Sequence, residues 1–407
     1  MSETVKIRES GSAVPRYPAL DELRGFAVVC VVVFHCLKST PLSAATNGID
    51  KVIDIFANLL PITLDLFFVI SGFLITLILD QTRSAEHTVR TFYIRRALRI
   101  VPLYYAFLAF AGLFLQGLGQ RAVGASGSMV WEWLFLTNVP LGVGGPGNVG
   151  TLFPHLWSLA VEEHFYLIWP WVVTLTPPKK MIRVSLIVAL ASFSGRMLLT
   201  SLGYGYGAWL FTPTRVDGLA AGALVAMLHR YRPELLQRWS FAVFKALAAF
   251  YPVYYLVLFT ALARMNHSAT LLAYLTAFNP FYSVILFAAL IGHLATRNNR
   301  RASSAPVKQL LRNVARYSYG MYMLHVPIIV ILFARTEILP QYPTRGYEFP
   351  YRLYFAGCIL VISYLCGMLS WHLFEKQVLK LAPRYRYASK KSVVSEPLVE
   401  PRIIPVP

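Results

Sequence analysis

Residues 24–35 read RGFAVVCVVVFH, ten apolar residues bounded by Arg24 and His35. At 100° per residue, the eleven steps between the two make three turns plus about 20°. The guanidinium and the imidazole therefore share one face of a helix, roughly 16 Å apart along its axis. Ionisable side chains are costly within a bilayer, so they turn toward a bundle interior and mark functional positions. The stretch sets two expectations: an all-α membrane bundle, and a first helix that lines an internal passage.

The rest of the chain agrees with a polytopic membrane protein. It is 56% hydrophobic and only 14% charged, with a mean hydropathy of +0.53, whereas soluble domains carry about a quarter charged residues. Apolar runs long enough to span occur near 22–40, 59–80, 98–117, 158–176, 181–201, 208–228, 239–262, 270–294, 315–335 and 352–373, each close to the ~20 residues a membrane helix needs. That reading gives ten transmembrane helices. The weaker stretch at 129–143 reads as an interfacial or re-entrant piece.

The net charge of +19, from 38 Lys and Arg against 19 Asp and Glu, is distributed by topology rather than clustered for nucleic acid. Arg83, Arg90, Arg95 and Arg96, then Lys179 and Lys180, then Arg230, Arg232 and Arg238, then Arg297, Lys308 and Arg312 fall on alternate connections. Lys51, Arg121, Arg264 and Arg345 are nearly all that the opposite side carries. The positive-inside rule then places both termini in the cytoplasm, consistent with an even helix count. Residues 1–16 are expected to form a cytoplasmic tail, 17–381 the membrane domain, and 382–407 a disordered cytoplasmic tail. The first run lacks a small-residue cleavage site and reads as an anchor rather than a signal peptide. Cys30, Cys36, Cys358 and Cys366 all lie in apolar runs and read as buried hydrophobes. No metal-binding spacing is present, and no metal is expected. The segment 118–157 reads either as an ordinary connector or as a lid over an acceptor site, and its GVGGPGNVG stretch at 142–150 is expected to lack regular structure.

Read by depth, the ionisable residues form two zones. Arg24, Arg95, Arg96 and Arg99 gather toward the cytoplasmic face. His35, Asp65, Glu162, Glu163 and Arg196 fall nearer the outer boundary, with Arg215, Asp217 and His325 closer to the middle. Arginine offers fixed bidentate donors to phosphate, so the inner zone suits a phosphorylated ligand, and the outer zone suits acid–base work. Each has a plainer reading. The arginines could be topology anchors at the lipid surface, and Asp65, Glu162, Glu163, Arg215 and Asp217 could form structural ion pairs. Trp157, Phe165 and Tyr166 could stack on a sugar or simply pack in the core.

Seven motifs in order give the chain a resemblance to acyltransferase family 3, the membrane enzymes that include O-acetyltransferases of bacterial surface polysaccharides. They are LDELRGFAVVCVVVFH at 20–35, LDLFFVISGFLIT at 64–76, RRALRIVPLYY at 95–105, HLWSLAVEEHFYLIWP at 155–170, TRVDGLAAGALVA at 214–226, YSYGMYMLHVPI at 317–328 and FEK at 374–376. The resemblance covers about 17–378. One departure is His164, where the family usually has Gln.

The resemblance implies a cytoplasmic acyl-CoA donor, acetyl-CoA foremost, and a hydroxyl acceptor on a carbohydrate, glycolipid or natural product, in a bacterial inner membrane. On that footing Arg24, Arg95, Arg96 and Arg99 are expected to hold the CoA phosphates. His35 is expected to act as general base, with a carboxylate holding its tautomer: Glu163 first, Asp65 second. Glu162, Trp157, Arg215, Asp217 and His325 are the expected acceptor contacts. The competing class is a proton-coupled transporter, which would also carry intramembrane His, Asp, Glu and Arg but often shows repeated halves, and no repeat is visible. A non-catalytic scaffold is disfavoured by the sorting of charges by depth. Acylation of a small intracellular metabolite stays open within the enzyme class.

Overall fold

In the computed structural model the described residues are 17–39, 57–115, 129–145, 151, 153–264, 269–297, 303–334 and 348–389. The tail 1–16, the chain beyond 389, and residues 118–128, 146–150 and 152 of the long segment 118–157 lie outside them. The described chain is almost wholly helical: α1 Pro18–Ser39, α2 Ile62–Gln81, α3 Thr88–Phe110, α4 Val130–Trp133, α5 Asn138–Gly144, α6 Trp157–Leu175, α7 Pro178–Ser201, α8 Gly205–Leu210, α9 Thr212–Arg215, α10 Asp217–Tyr231, α11 Pro233–Arg264, α12 Ala269–Thr296, α13 Pro306–Ala334, α14 Glu348–Ser370 and α15 Lys376–Leu379. The four cysteines are free thiols.

Helix occurs at each of the ten apolar runs. By length and composition, six helical stretches among the described residues can cross a membrane: Ile62–Gln81, Thr88–Leu113, Pro178–Ser201, Pro233–Val257, Ala273–Thr296 and Pro350–Arg384. The chain is thus built as an integral membrane bundle. The runs left out, those of α1, α6, α10 and α13, contain Arg24 and His35, Glu162 and Glu163, Asp217, and His325 respectively. α10, at 15 residues, is too short to be counted, and the charged and polar residues of α1 and α6 set those two helices apart from the six.

Burial sorts centre from rim. Two thirds (67%) of the apolar window of α2 is buried, against 11% for α11. The centre is held by close backbone approaches, as expected where helices associate without a hydrophobic driving force. A Cβ at Gly72 would lie 1.9 Å from the Leu219 carbonyl oxygen, and one at Gly222 2.1 Å from that of Val69, so α2 and α10 meet backbone to backbone. Gly25 does the same for α1 against Leu311 of α13, at 2.0 Å.

Several boundaries differ from those read in the sequence. The sixth run is not one helix: Phe211 is extended (ψ 140°) and Pro213 restarts the chain, so α8, α9 and α10 follow in short order. The third begins ten residues early, at Thr88, because its arginines sit on the helix rather than before it. The glycine-rich stretch does hold regular structure at its start: α5 takes Gly142–Gly144 and stops at Gly145, whose φ of 70° lies in the left-handed region that suits glycine at a helix end. The C-terminal tail is ordered as far as 389. Ala388–Ser389 (β2) pairs antiparallel with Ala85–Glu86 (β1), and Arg95 donates to the carbonyls of Ala382 and Tyr385 at 3.4 and 3.1 Å.

Substituting Gly222→Leu or Gly72→Leu is expected to force α2 and α10 apart. The cost should be about 1–3 kcal/mol, read as a lowered melting temperature in detergent, whereas Gly357→Ala, with nothing near its Cβ, leaves melting unchanged.

Candidate functional site

The inner cavity opens at the arginine-rich end of the bundle. It measures about 410 Å³, within the range of ligand pockets. Arg24 of α1, Arg95, Arg96 and Arg99 of α3, and Glu162 and Tyr166 of α6 reach it, with Leu379, Ala382 and Tyr387 at its mouth. The four arginines thus converge on one space. Arg99 lies in the repulsive field of Arg24 and Arg96. The one carboxylate in the lining, Glu162, faces Arg96 and sits within hydrogen-bonding reach of Tyr166 and Ser71. The Arg96 guanidinium stacks 4.3 Å from the Tyr166 ring centre, and the Tyr166 and Ser71 hydroxyls are 2.5 Å apart.

A smaller pocket of about 90 Å³ adjoins this cavity and shares Arg24, Phe67, Leu159, Glu162 and Tyr319 with it. Its far wall holds Ser158 and Tyr322. Tyr322 donates its hydroxyl proton to the His155 carbonyl in a short bond, so the Ser158 hydroxyl 2.7 Å away must donate to Tyr322. Behind that wall, outside the lining of both pockets, lie three imidazoles. His325 Nδ1 lies 2.7 Å from the Tyr322 carbonyl, and His325 Nε2 lies 3.1 Å from His35 Nδ1, which is also 2.9 Å from the Val31 carbonyl.

These contacts fix the protons of the neutral rings. A carbonyl only accepts, so His325 carries its proton on Nδ1 and leaves Nε2 as the acceptor. His35 Nδ1 must then be the donor, to His325 and to Val31. The remaining nitrogen, His35 Nε2, is left unprotonated. The His155 ring centre lies 5.2 Å from that of His325 and 6.5 Å from that of His35; its nitrogens make no hydrogen bond of normal geometry among the described residues. His325 is fully buried, while His35 is only half-buried. No group of three or more His, Cys, Asp or Glu among the described residues is placed to hold a metal.

Neither expected carboxylate reaches His35. Asp65 accepts from Arg215 Nη2 at 2.6 Å and takes a short bond from Ser283, so both its oxygens are committed to α9 and α12. Glu163 has Arg96 and Glu162 as charged neighbours, and its Oε1 has no hydrogen-bond partner among the described residues. His325 takes the place beside His35 that a carboxylate was expected to fill.

The expected acceptor contacts are scattered. Glu162 belongs to the inner cavity. Arg215 is buried among Phe68, Trp157 and Trp209, with its guanidinium 5.6, 5.7 and 5.3 Å from their ring centres. Trp157 therefore packs on a cation. Asp217 pairs with Arg196 at 2.7 Å, and Arg196 also donates to the Thr214 and Ala277 carbonyls. These are the structural pairs of the plainer reading. His164 turns to Thr212, 2.6 Å away.

Sequence reasoning missed Ser158, Tyr319, Tyr322 and His155, and offered Tyr166 only as a sugar-stacking ring or a core residue. A signal was present for all of these but His155. Ser158, Glu162 and Tyr166 are spaced i, i+4, i+8, and Tyr319, Tyr322 and His325 are spaced i, i+3, i+6, two polar stripes on otherwise apolar helices. His155 precedes its helix and belongs to neither.

Comparison with known proteins agrees with this architecture. The acyltransferase domain model matches residues 17–371. The chain belongs to acyltransferase family 3. Similar proteins include the O-acetyltransferase OatA of Staphylococcus aureus, 33% identical over 233 residues (53% of this chain and 35% of that protein). Another is the peptidoglycan O-acetyltransferase OatA of Listeria monocytogenes, 28% identical over 349 residues (79% of this chain and 50% of that protein). The acyltransferase chain described here thus spans half or less of the length of these relatives. No solved structure matches it.

Breaking either buried pair leaves a charge stranded in an apolar bundle. Asp217→Ala and Asp65→Ala are each expected to cost about 3–5 kcal/mol, seen as a large drop in melting temperature and in recovery of monodisperse protein. His35→Ala, which strands no charge, is expected to melt near the wild-type temperature.

Proposed function

We propose that this protein transfers an acyl group, acetyl foremost, from cytoplasmic acyl-CoA to a hydroxyl of a cell-envelope carbohydrate. All ten helical runs cross the bacterial inner membrane, and both termini are cytoplasmic. One observation supports the reading: an arginine-lined cavity and a smaller pocket share five lining residues, and Tyr322 in the wall of the smaller one is followed three residues on by His325, the hydrogen-bond partner of His35. The family and its peptidoglycan-acetylating relatives support the reaction class and the acceptor class.

In this reading Arg24, Arg95, Arg96 and Arg99 hold the CoA phosphates, with charge-assisted bonds stronger than neutral ones. The pantetheine arm threads past Leu159 and Tyr319 and brings the thioester toward His35. His35 Nε2 takes the proton of the acceptor hydroxyl as its oxygen attacks the thioester carbonyl. The tetrahedral intermediate collapses, the ester forms, the C–S bond breaks, and the CoA thiolate leaves with the proton His35 had taken. His325 accepts from His35 Nδ1 throughout and so keeps the basic nitrogen facing the passage, the part a carboxylate plays in serine-hydrolase triads.

The test uses purified protein, radiolabelled acetyl-CoA and peptidoglycan fragments, following thiol release and labelled glycan together. His35→Ala is expected to lower both by about 10²–10⁴-fold, the usual contribution of a general base, with acyl-CoA binding retained. His325→Ala should give a smaller loss of rate with binding equally retained. Arg96→Ala with Arg99→Ala should instead weaken binding of an acyl-CoA analogue. Wild-type turnover by His35→Ala, or unchanged analogue affinity in the double arginine variant, refutes the corresponding assignment.

A further inference from the structure

A second cationic pocket lies away from the passage, between the first turns of α11 and the last turn of α12. It measures about 410 Å³ and is lined by Gln237, Arg238, Phe241, Ala242, Lys245, His293, Thr296 and Arg297. Spacing explains its convergence: Arg238, Phe241 and Lys245 are i, i+3, i+7 on one helix, and His293 and Arg297 are i, i+4 on the other. Phe241 forms the floor. It stacks on His293 with centres 4.4 Å apart and planes 19° apart. The Lys245 ammonium sits 4.8 Å from its centre and the Arg297 guanidinium 5.8 Å.

Three cations meet here, and no acidic residue is among the lining. Among the described residues, none of Arg238, Lys245 and Arg297 has a salt bridge to a carboxylate, in contrast to Arg83, Arg196, Arg215, Arg230 and Arg312. Lys245 is the telling one. It lies on a helix whose apolar window is only 11% buried, six residues and so about 9 Å beyond Trp239 along a lipid-facing element. A lone ammonium at that depth is costly unless it reaches back to an anion at the interface.

The surroundings say which anion. Trp239, 52% exposed, stands beside the pocket at the level where tryptophan marks a membrane interface. Deeper along α11, Val253 and Leu256 are 51% and 61% exposed. Eleven residues after Lys245, Leu256 returns to within about 20° of the same face. A cationic head site thus continues into an apolar lane on one helix. A free phosphate or nucleotide would use only the first of these, whereas a phospholipid uses both.

We infer that this pocket binds the phosphate headgroup of an anionic phospholipid from the leaflet at the arginine-rich end, with an acyl chain lying along α11. Basic pockets between membrane helices recognise lipid headgroups in this way. The inference needs neither the acyl donor nor His35, so it stands or falls apart from the proposed reaction.

The full chain, purified in detergent, is titrated with phosphatidylglycerol, with phosphatidylcholine and with inorganic phosphate. Bound lipid is counted by native mass spectrometry, and melting is followed in parallel. Wild type should retain phosphatidylglycerol over phosphatidylcholine and melt higher with it. Arg238→Gln, Lys245→Gln and Arg297→Gln, all exposed side chains whose neutralisation spares the core, should each weaken that retention about fivefold while melting without lipid stays at the wild-type value. Equal retention of the two lipids, or undiminished phosphatidylglycerol binding by the triple variant, overturns the site. Displacement of the lipid by millimolar inorganic phosphate overturns the lipid as its occupant.

Discussion

An ion inside an apolar bundle must meet its counter-ion there, and this requirement organises the molecule. Arg196 with Asp217 and Arg215 with Asp65 join α2, α7, α9 and α10, and Ser283 brings in α12. The cations in these pairs are fully buried and further bonded to carbonyls or stacked on aromatic rings. The same rule makes the exceptions informative. Arg24, Arg96 and Arg99 crowd one another around a cavity holding a single carboxylate, an excess of positive charge that suits an anionic guest. Arginines that close the scaffold and arginines that line a cavity are alike in sequence and are separated by what stands opposite them.

Much of the architecture was legible because it rests on local signals. Apolar run length located helix at all ten places, and Arg24 lines the arginine-rich cavity, while His35 lies outside the lining of both pockets. What was not legible depends on contacts between distant segments. His35 and His325 are 290 positions apart, and nothing in the spacing around His325 announces its partner. The choice of Glu163 came from soluble catalytic dyads, where a carboxylate holds the imidazole. In this bundle the carboxylates of α6 instead face the inner arginines. The breaks around Phe211 and Val216 were hidden for another reason: the run 208–228 is apolar enough for one helix, and a single proline and two non-helical residues decide otherwise. Those breaks send Arg215 and Asp217, two positions apart, to different counter-ions.

The glycines and the ion pairs act together. Gly72 and Gly222 let α2 and α10 touch through their backbones, which brings Asp65 near the start of α2 within reach of Arg215 just before α10. At Gly25, the same closeness between α1 and α13 sets the distance at which His35 and His325 face each other ten and more residues further along. Tight helix contact is therefore what turns two separate histidines into a hydrogen-bonded pair.

An imidazole pair also suits this location better than the dyad it replaces. A carboxylate beside His35 would place a full charge inside the bundle, at a desolvation cost of several kcal/mol. Two neutral rings carry no net charge at rest. They are held by carbonyls of their own helices, Val31 for one and Tyr322 for the other, so no third element is needed to fix their protons. Charge would arise at His35 only during the proposed transfer, when an oxyanion forms beside it and the two neutralise each other. The passage can then stay apolar around the thioester and water-poor around the attacking hydroxyl, conditions under which a neutral general base is the least costly one to keep.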